Sequence, residues 1–335
     1  MNRLTIVILF FSVISMLFSC QKSKVKNIPD VSHIEIDLNV KRFEKDLFTL
    51  DTMRMEEESK RLFNTYPLFM KDVFAKEIFP ALQDPNILKK FIQSPQLRQL
   101  YDTCQIVYRD FDDLEKDFTE AFRFYKYHFP EKETPKLITY LSEYSIGAFT
   151  YESIVGVGLD FFLGADYPNY HVTEFPNYIK RSMNKEHLVA KTIEAVANDL
   201  VGNPKGNRLL DLMIHNGKIH YIMDQLIPRE EDNIKMAYTT EQMKWVEDNE
   251  LQIWTHLVGE ELLYSTKYKD FRKLIDHSPN APGMPAQAPG RTANWVGWQI
   301  VNAFMARHPE ITLPQLLEIT NAQKIMDQSK YKPRQ

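Results

Sequence analysis

Several side chains in this sequence have types and spacings that could do chemistry. His187-Leu188-Val189-Ala190-Lys191 keeps the spacing of a His-Glu-x-x-His zinc motif, in which two imidazoles and a general base share one helical face. Here leucine stands where the base belongs and lysine where the second ligand belongs, and an ammonium repels a metal ion. His187 is therefore expected on a solvated face at a helix start. His215 and His220 are five residues apart, roughly 140° around a helix, so they do not share a face. Asp211 and His215 do share one, a spacing that suits a surface or packing contact better than a metal. Asp160 and Asp166 flank an aromatic loop and could work as an acid–base pair, although packing against a sheet explains them as well. Arg291 carries a rigid five-donor fork suited to a carboxylate. Paired with Asp160 or Asp166 it would pin the aromatic loop to the last helices; otherwise it is a solvated arginine in a mobile loop. Cys104 has no histidine near it in sequence and is expected to be a buried thiol. Nucleophile elbows, phosphate-binding glycine loops and Cys-x-x-Cys pairs are missing from the sequence. No catalytic residue, metal or cofactor is expected, and His187, Lys191, His215, Asn216 and His220 are left as a degenerate site or binding face.

The first twenty residues carry a different chemistry. Arg3 supplies a positive start, Leu4 to Leu17 is almost wholly apolar, and Leu17-Phe18-Ser19-Cys20 ends the run. This is the order of a secretory signal, and the apolar stretch is short for a membrane-spanning helix of about 20 residues. The ending resembles the lipobox of bacterial lipoproteins, whose cysteine thiol is acylated and becomes the new N-terminus. Residues 1–19 are then the signal and 20–32 the lipidated N-terminus and tether, with 33–335 left as one globular domain. The covalent lipid on Cys20 is the only prosthetic group expected. Residues 21–32 span at most about 40 Å when extended. Their basic character, with no acidic run resembling a surface-export signal, suggests a domain held close to its membrane and facing the periplasm.

Composition fits that setting. Only Cys104 and Cys20 are cysteines, so with Cys20 acylated no internal disulfide can form and the fold must rest on its core. With 44% hydrophobic and 12% aromatic residues, a chain of this length can bury one. A net charge of −4 from 41 basic and 45 acidic residues gives no electrostatic case for nucleic acid.

The elements that must position these residues follow from periodicity. Ile34, Ile36, Leu38 and Val40 alternate with polar residues as a strand would. A helix capped by Asp51 is expected to run to about residue 64, with further helical segments near 67–79 and 84–92. Leu114, Phe118, Ala121, Phe122 and Tyr125 mark a helix over 110–129. Residues 136–141, 146–149 and 153–160 have the β-branched and aromatic content of three short strands. Helices are expected again at 186–201, 207–226, 240–265, 293–307 and 313–327. Trp298 should point inward, with Asn294 as a helix cap, and the proline-rich loop 276–292 should be exposed. The fold class is α+β, predominantly α-helical, a single large domain with a small sheet.

Four stretches together resemble one family. They are Gly158-Leu-Asp-Phe-Phe-Leu-Gly-Ala-Asp-Tyr-Pro-Asn-Tyr170, Leu209-Leu-Asp-Leu-Met-Ile-His-Asn-Gly-Lys-Ile-His-Tyr221, Tyr238-Thr-Thr-Glu-Gln-Met-Lys-Trp-Val-Glu-Asp-Asn-Glu250 and Pro289-Gly-Arg-Thr-Ala-Asn-Trp-Val-Gly-Trp-Gln-Ile-Val301. With the Cys20 lipobox, they resemble the gliding-motility lipoprotein GldB of Bacteroidota from Cys20 to about residue 320, departing at His215-Asn216 and Ala293-Asn294. The resemblance implies a membrane-anchored component of the gliding and type IX secretion machinery, with other proteins of that machinery as partners; the missing catalytic motifs make a non-catalytic binding or assembly role the expectation. A more distant likeness is to gluzincin metallopeptidases with their ligands replaced, Asn216-Gly217 standing where a ligand glutamate would be. That implies a degenerate zincin-like fold kept for binding. The competing readings are an exported zinc-dependent peptidase or peptidoglycan hydrolase, and a glycan-binding lipoprotein built on the tryptophan-rich helices.

Overall fold

Prolines at 67, 80, 85 and 95 cut the first third of the chain into short helices that no single apolar face could stabilise alone. In a computed structural model, which describes residues 28–171 and 174–334, this region holds α1 (Phe43–Phe48), α2 (Met55–Thr65), a π-helical stretch (Phe69–Ile78), a 3₁₀ turn (Pro80–Gln83), α3 (Pro85–Gln93), α4 (Pro95–Val107) and α5 (Asp112–His128). The proline at the start of α3 and of α4 sits where a missing N–H costs nothing. Their apolar sides interlock through Phe43, Phe69, Phe74, Phe79 and Phe91, whose rings meet edge-on or stacked.

Four strands form one mixed sheet in the order β1-β2-β4-β3. They are β1 (Lys41–Arg42), β2 (Lys136–Tyr140), β3 (Ala148–Tyr151) and β4 (Ile154–Gly158). β2 runs parallel to both β1 and β4, with Lys136 opposite Ile154, and β3 returns antiparallel with Ala148 opposite Val157. Every residue of β4 is buried, as a parallel pair covered on both faces requires.

The second half is helical: α6 (Asn177–Lys180), α7 (Lys185–Val201), α8 (Leu209–Leu226), α9 (Asp232–Met236), α10 (Thr240–Asp248), α11 (Glu250–Gly259), α12 (Tyr268–Ile275), α13 (Thr292–Arg307), α14 (Leu313–Glu318) and α15 (Ala322–Ser329). α8 and α13 are apolar on nearly every face and make the most extensive helix contact among the described residues, the mark of helices enclosed by others. They can approach because Gly217 meets Gly297. A Cβ on Gly217 would stand 2.4 Å from the Gly297 carbonyl, and one on Gly297 would stand 2.0 Å from the Met213 carbonyl oxygen. Trp295 and Trp298 are both enclosed, so the inward position expected for Trp298 is met. Residues Val31–Gln335 make one compact unit, mainly helical with a small sheet, in keeping with the expected α+β class.

Some local expectations give way. Residues 34–40 alternate in burial but form no strand, because only Lys41–Arg42 has a ladder partner in β2. The carboxylate of Asp51 takes the Met53 N–H and the Arg54 side chain, so it closes a turn and α2 starts later. The helix expected over 240–265 breaks at Asn249, whose side chain donates to the Trp245 carbonyl. The one over 313–327 breaks at residues 319–321. There Lys218 of α8 donates to the Ile319 carbonyl (2.6 Å) and Asn321 caps α15. No described helix is long and apolar enough to cross a membrane.

Candidate functional site

α7 brings the first of the singled-out residues into place. Asn184 caps the helix by accepting the His187 backbone N–H (3.2 Å), and its Oδ1 also lies 2.9 Å from His187 Nδ1. Asn184 Nδ2 is already spent on the Arg181 carbonyl. Oδ1 is therefore an acceptor, and the imidazole donates from Nδ1. The solvated face expected for His187 is not what forms: α7 packs against α8, α9 and β3, and His187 is 6% exposed. Burial, with the Lys191 and Arg181 charges, pulls its pKa down to about 4.

One turn on, Lys191 is only partly exposed. Its ammonium pairs with Glu194 at 2.7 Å. Burial alone would raise the Glu194 carboxyl, but Lys191 and then Arg291 bring it down to about 2. His220 projects from α8 at 2% exposure, with its ring 5.4 Å from that of Trp298. Burial brings it to about 3, with Glu194 pulling the other way. Its Nδ1 has no protein partner. The Trp298 indole N–H donates to Asp224 (2.9 Å), which also receives the buried Lys235 ammonium (2.6 Å).

Arg291 is the least conventional member. It sits at the N-cap of α13 with φ 62°, in the left-handed region that costs a non-glycine residue about 1 kcal/mol or more, and no side chain caps the helix. Its backbone N–H donates to the Lys273 carbonyl. Its guanidinium lies 5.6 Å from the centre of the Tyr238 ring, and Tyr238 donates its hydroxyl to the Gly290 carbonyl. The side chain is 4% exposed, and Nη2 is buried with no acceptor within reach. Thr292 Oγ1 and Trp295 Nε1, from the same first turn of α13, are buried without partners too.

The expected Arg291 pair with Asp160 or Asp166 does not form, and neither does the solvated alternative. Asp160 is fully enclosed and accepts the backbone N–H of Ser142 (3.0 Å) and of Tyr144 (2.7 Å). Asp166 is exposed. These two aspartates do not face each other as an acid–base pair: one is a closed structural acceptor and the other faces water. Asn294, expected as the cap of α13, lies inside the helix. It accepts from Asn216 (2.8 Å) and donates to the Ile275 carbonyl (2.9 Å). Asn216 is thus a packing residue that ties α8 to α13 and α12. His215 points to another side of α8, lining a small cleft with Asp211 and Lys218, and the Asp211 carboxylate is engaged by Arg208. The loop 276–292 is only partly exposed: Ser278 donates to the Lys273 carbonyl, Ala281 pairs with Ala288, and residues 288–292 are buried, while Asp276 and His277 are exposed.

The structure therefore brings together His187, Lys191, His220 and Arg291, and leaves His215, Asn216, Asp160 and Asp166 out. It adds Arg181, Glu194 and His277. Arg181 donates to the Ala237 carbonyl and to Gln242. The Arg291 guanidinium holds His277 far below the ordinary imidazole range. Glu194 was readable in the sequence, three residues after Lys191 on one helical face. Arg181 and His277 come from connecting segments, and no spacing announces them. Near neutral pH the cluster holds three cations (Arg181, Lys191, Arg291) against one carboxylate, with its histidines uncharged. Among the described residues no three His, Cys, Asp or Glu side chains converge in a way that could hold a metal ion. A cleft of 570 Å³ between α5, the start of α7 and residues 226–230 does not include the cluster. Cys20 lies outside the described residues.

A family model described as gliding motility protein GldB matches residues 24–333. No curated protein and no solved structure matches the chain.

Proposed function

The chain belongs to the GldB gliding-motility family, and from that premise we propose that it is a non-catalytic binding or assembly component of the gliding and type IX secretion machinery. It is anchored through lipid on Cys20 and faces the periplasm. The family match carries the gliding role and the membrane-anchored lipoprotein character. The observation that supports a binding role is the Lys191–Glu194 ion pair. Where a zinc peptidase presents a ligand, this chain presents an ammonium already committed to a carboxylate, and Asn216 is committed to Asn294. Donors surround this region.

The test has two arms. Deletion of the gene should abolish movement over surfaces, and a Lys191→Met chain, which lacks the ammonium but keeps the length of its stem, should restore it at least partly. Purified full chain should hold no stoichiometric zinc, and a chelator should leave its thermal unfolding unchanged. Bound zinc whose removal lowers the unfolding temperature would replace this reading with the peptidase. The anchor is tested by Cys20→Ala, which should move the protein out of the membrane fraction. Each buried methylene of an acyl chain contributes about 0.8 kcal/mol, and more than one chain is needed for stable attachment. Protease added to intact cells should leave the protein whole.

A further inference from the structure

We propose that the cluster around Arg291 is a recognition site for a carboxylate. Arg291 is 4% exposed, its buried Nη2 has no acceptor, and its guanidinium forms no ion pair among the described residues. A buried guanidinium left in that state is costly unless something accepts from it. Thr292 Oγ1 and Trp295 Nε1 share the same turn and the same lack of partners, and Arg291 and Trp295 fall on one helical face as an i, i+4 pair. These are surplus donors at the uncapped N-terminus of a sixteen-residue helix, the end where the backbone also favours negative charge. The rim of the cluster, at His277, Lys191 and Glu194, reaches solvent, so a ligand has a side from which to enter.

Arg181, Lys191 and Arg291 outnumber Glu194, so the cluster favours an anion. Shape decides which one: a carboxylate brings a planar pair of oxygens that matches a guanidinium edge. The site therefore suits either the C-terminus of a peptide or an acidic side chain. This inference rests on reading the cluster as a binding site.

The experiment is a titration of the full chain in detergent, followed by the NMR signal of the Trp295 indole N–H, assigned with Trp295→Phe. N-acetyl-Ala-Ala with a free terminus, its C-terminal amide, N-acetyl-Ala-Glu-Ala-amide and inorganic phosphate are the probes. The free-terminus peptide should shift the Trp295 signal saturably, and its amide should not. Arg291→Met should weaken binding by about tenfold or more, the loss typical of one charge-assisted hydrogen bond. Equal or tighter binding of the glutamate peptide supports the site and assigns it to acidic side chains. Preferential binding of phosphate overturns the carboxylate assignment. No saturable shift with any probe, or the same affinity in Arg291→Met, overturns the site itself. The wild-type Trp295 readout stands even where Arg291→Met fails to fold. A null titration beside intact gliding and absent zinc would remove this inference and leave the non-catalytic role in place.

Discussion

Asp160 and Arg291 are both charged side chains taken out of water, and the chain treats them in opposite ways. Around Asp160 the backbone turns so that the N–H groups of Ser142 and Tyr144 point at the carboxylate. Tyr170 donates to the carbonyl of the same residue. Around Arg291 the backbone adopts a strained conformation, the neighbouring charges are mostly of the same sign, and Nη2 of the guanidinium has no acceptor among the described residues. A group that the fold completes internally holds the fold together. A group that the fold leaves incomplete awaits something from outside, since unpaired buried donors are rare in stable proteins. The same contrast separates Asn216, whose hydrogen bonds stay inside the molecule, from His220, whose Nδ1 bonds to nothing in it.

Substitution at each pole should break this symmetry of burial. Asp160→Ala strands two backbone N–H groups, each costing about 1–3 kcal/mol, and leaves a cavity, so urea unfolding should show a loss of about 3–5 kcal/mol. A loss under about 1 kcal/mol would mean that water takes over and that Asp160 is not closed. The pH response sharpens the point. Burial raises Asp160 to about 6 against the Ser142 and Tyr144 hydrogen bonds. The folded state then holds a proton that the unfolded state releases near pH 4. Relative to Asp160→Asn, the wild type should lose about 3 kcal/mol as pH rises from about 4 to 6 and then level off.

His187 should show the reverse sign. Its folded pKa of about 4 lies below its unfolded value, so the folded state binds fewer protons. Its stabilising contribution is complete above about pH 6.5 and is lost as pH falls towards 4, about 2–3 kcal/mol relative to His187→Gln. Identical pH profiles for the wild type and His187→Gln would show the ring to be hydrated. The smallest effect belongs to Arg291→Met. Removing a buried, unpaired charge while keeping the stem should change ligand-free stability by less than about 1 kcal/mol or increase it. A loss of several kcal/mol would show that Arg291 is completed by the fold after all, and the contrast with Asp160 would collapse.

Much of the frame was legible in the sequence because the signals are local. The 3.6-residue recurrence of Leu114, Phe118 and Tyr125, the β-branched runs at 136–140 and 154–158, and the Gly-Lys-Ile-His helix all register correctly, since periodicity reports which side of a segment meets the core. What failed depended on partners distant in the chain. Ile34 to Val40 has the alternation of a strand, but a ladder needs a free edge, and only Lys41 and Arg42 lie opposite β2. The break at 319–321 depends on Lys218, about a hundred residues earlier, reaching the Ile319 carbonyl. The candidate site shows the same division. His187, Lys191 and Arg291 stand out by type and spacing, yet His187 was expected in water and Arg291 beside an aspartate that it does not meet.

By itself, then, the sequence determined the helical majority, the small sheet and the family, and it set the expectations of a leader ending at Cys20 and of no complete zinc motif over His187–Lys191. Each of these lies in residue type and short-range spacing. Only the tertiary structure decided that Arg291 is buried beside Tyr238 instead of paired with an aspartate, that Asp160 is saturated by its own neighbouring backbone, and that α8 and α13 touch through Gly217 and Gly297. Burial and hydrogen-bond satisfaction are properties of several chain segments meeting at one place, and no window of sequence contains all of them.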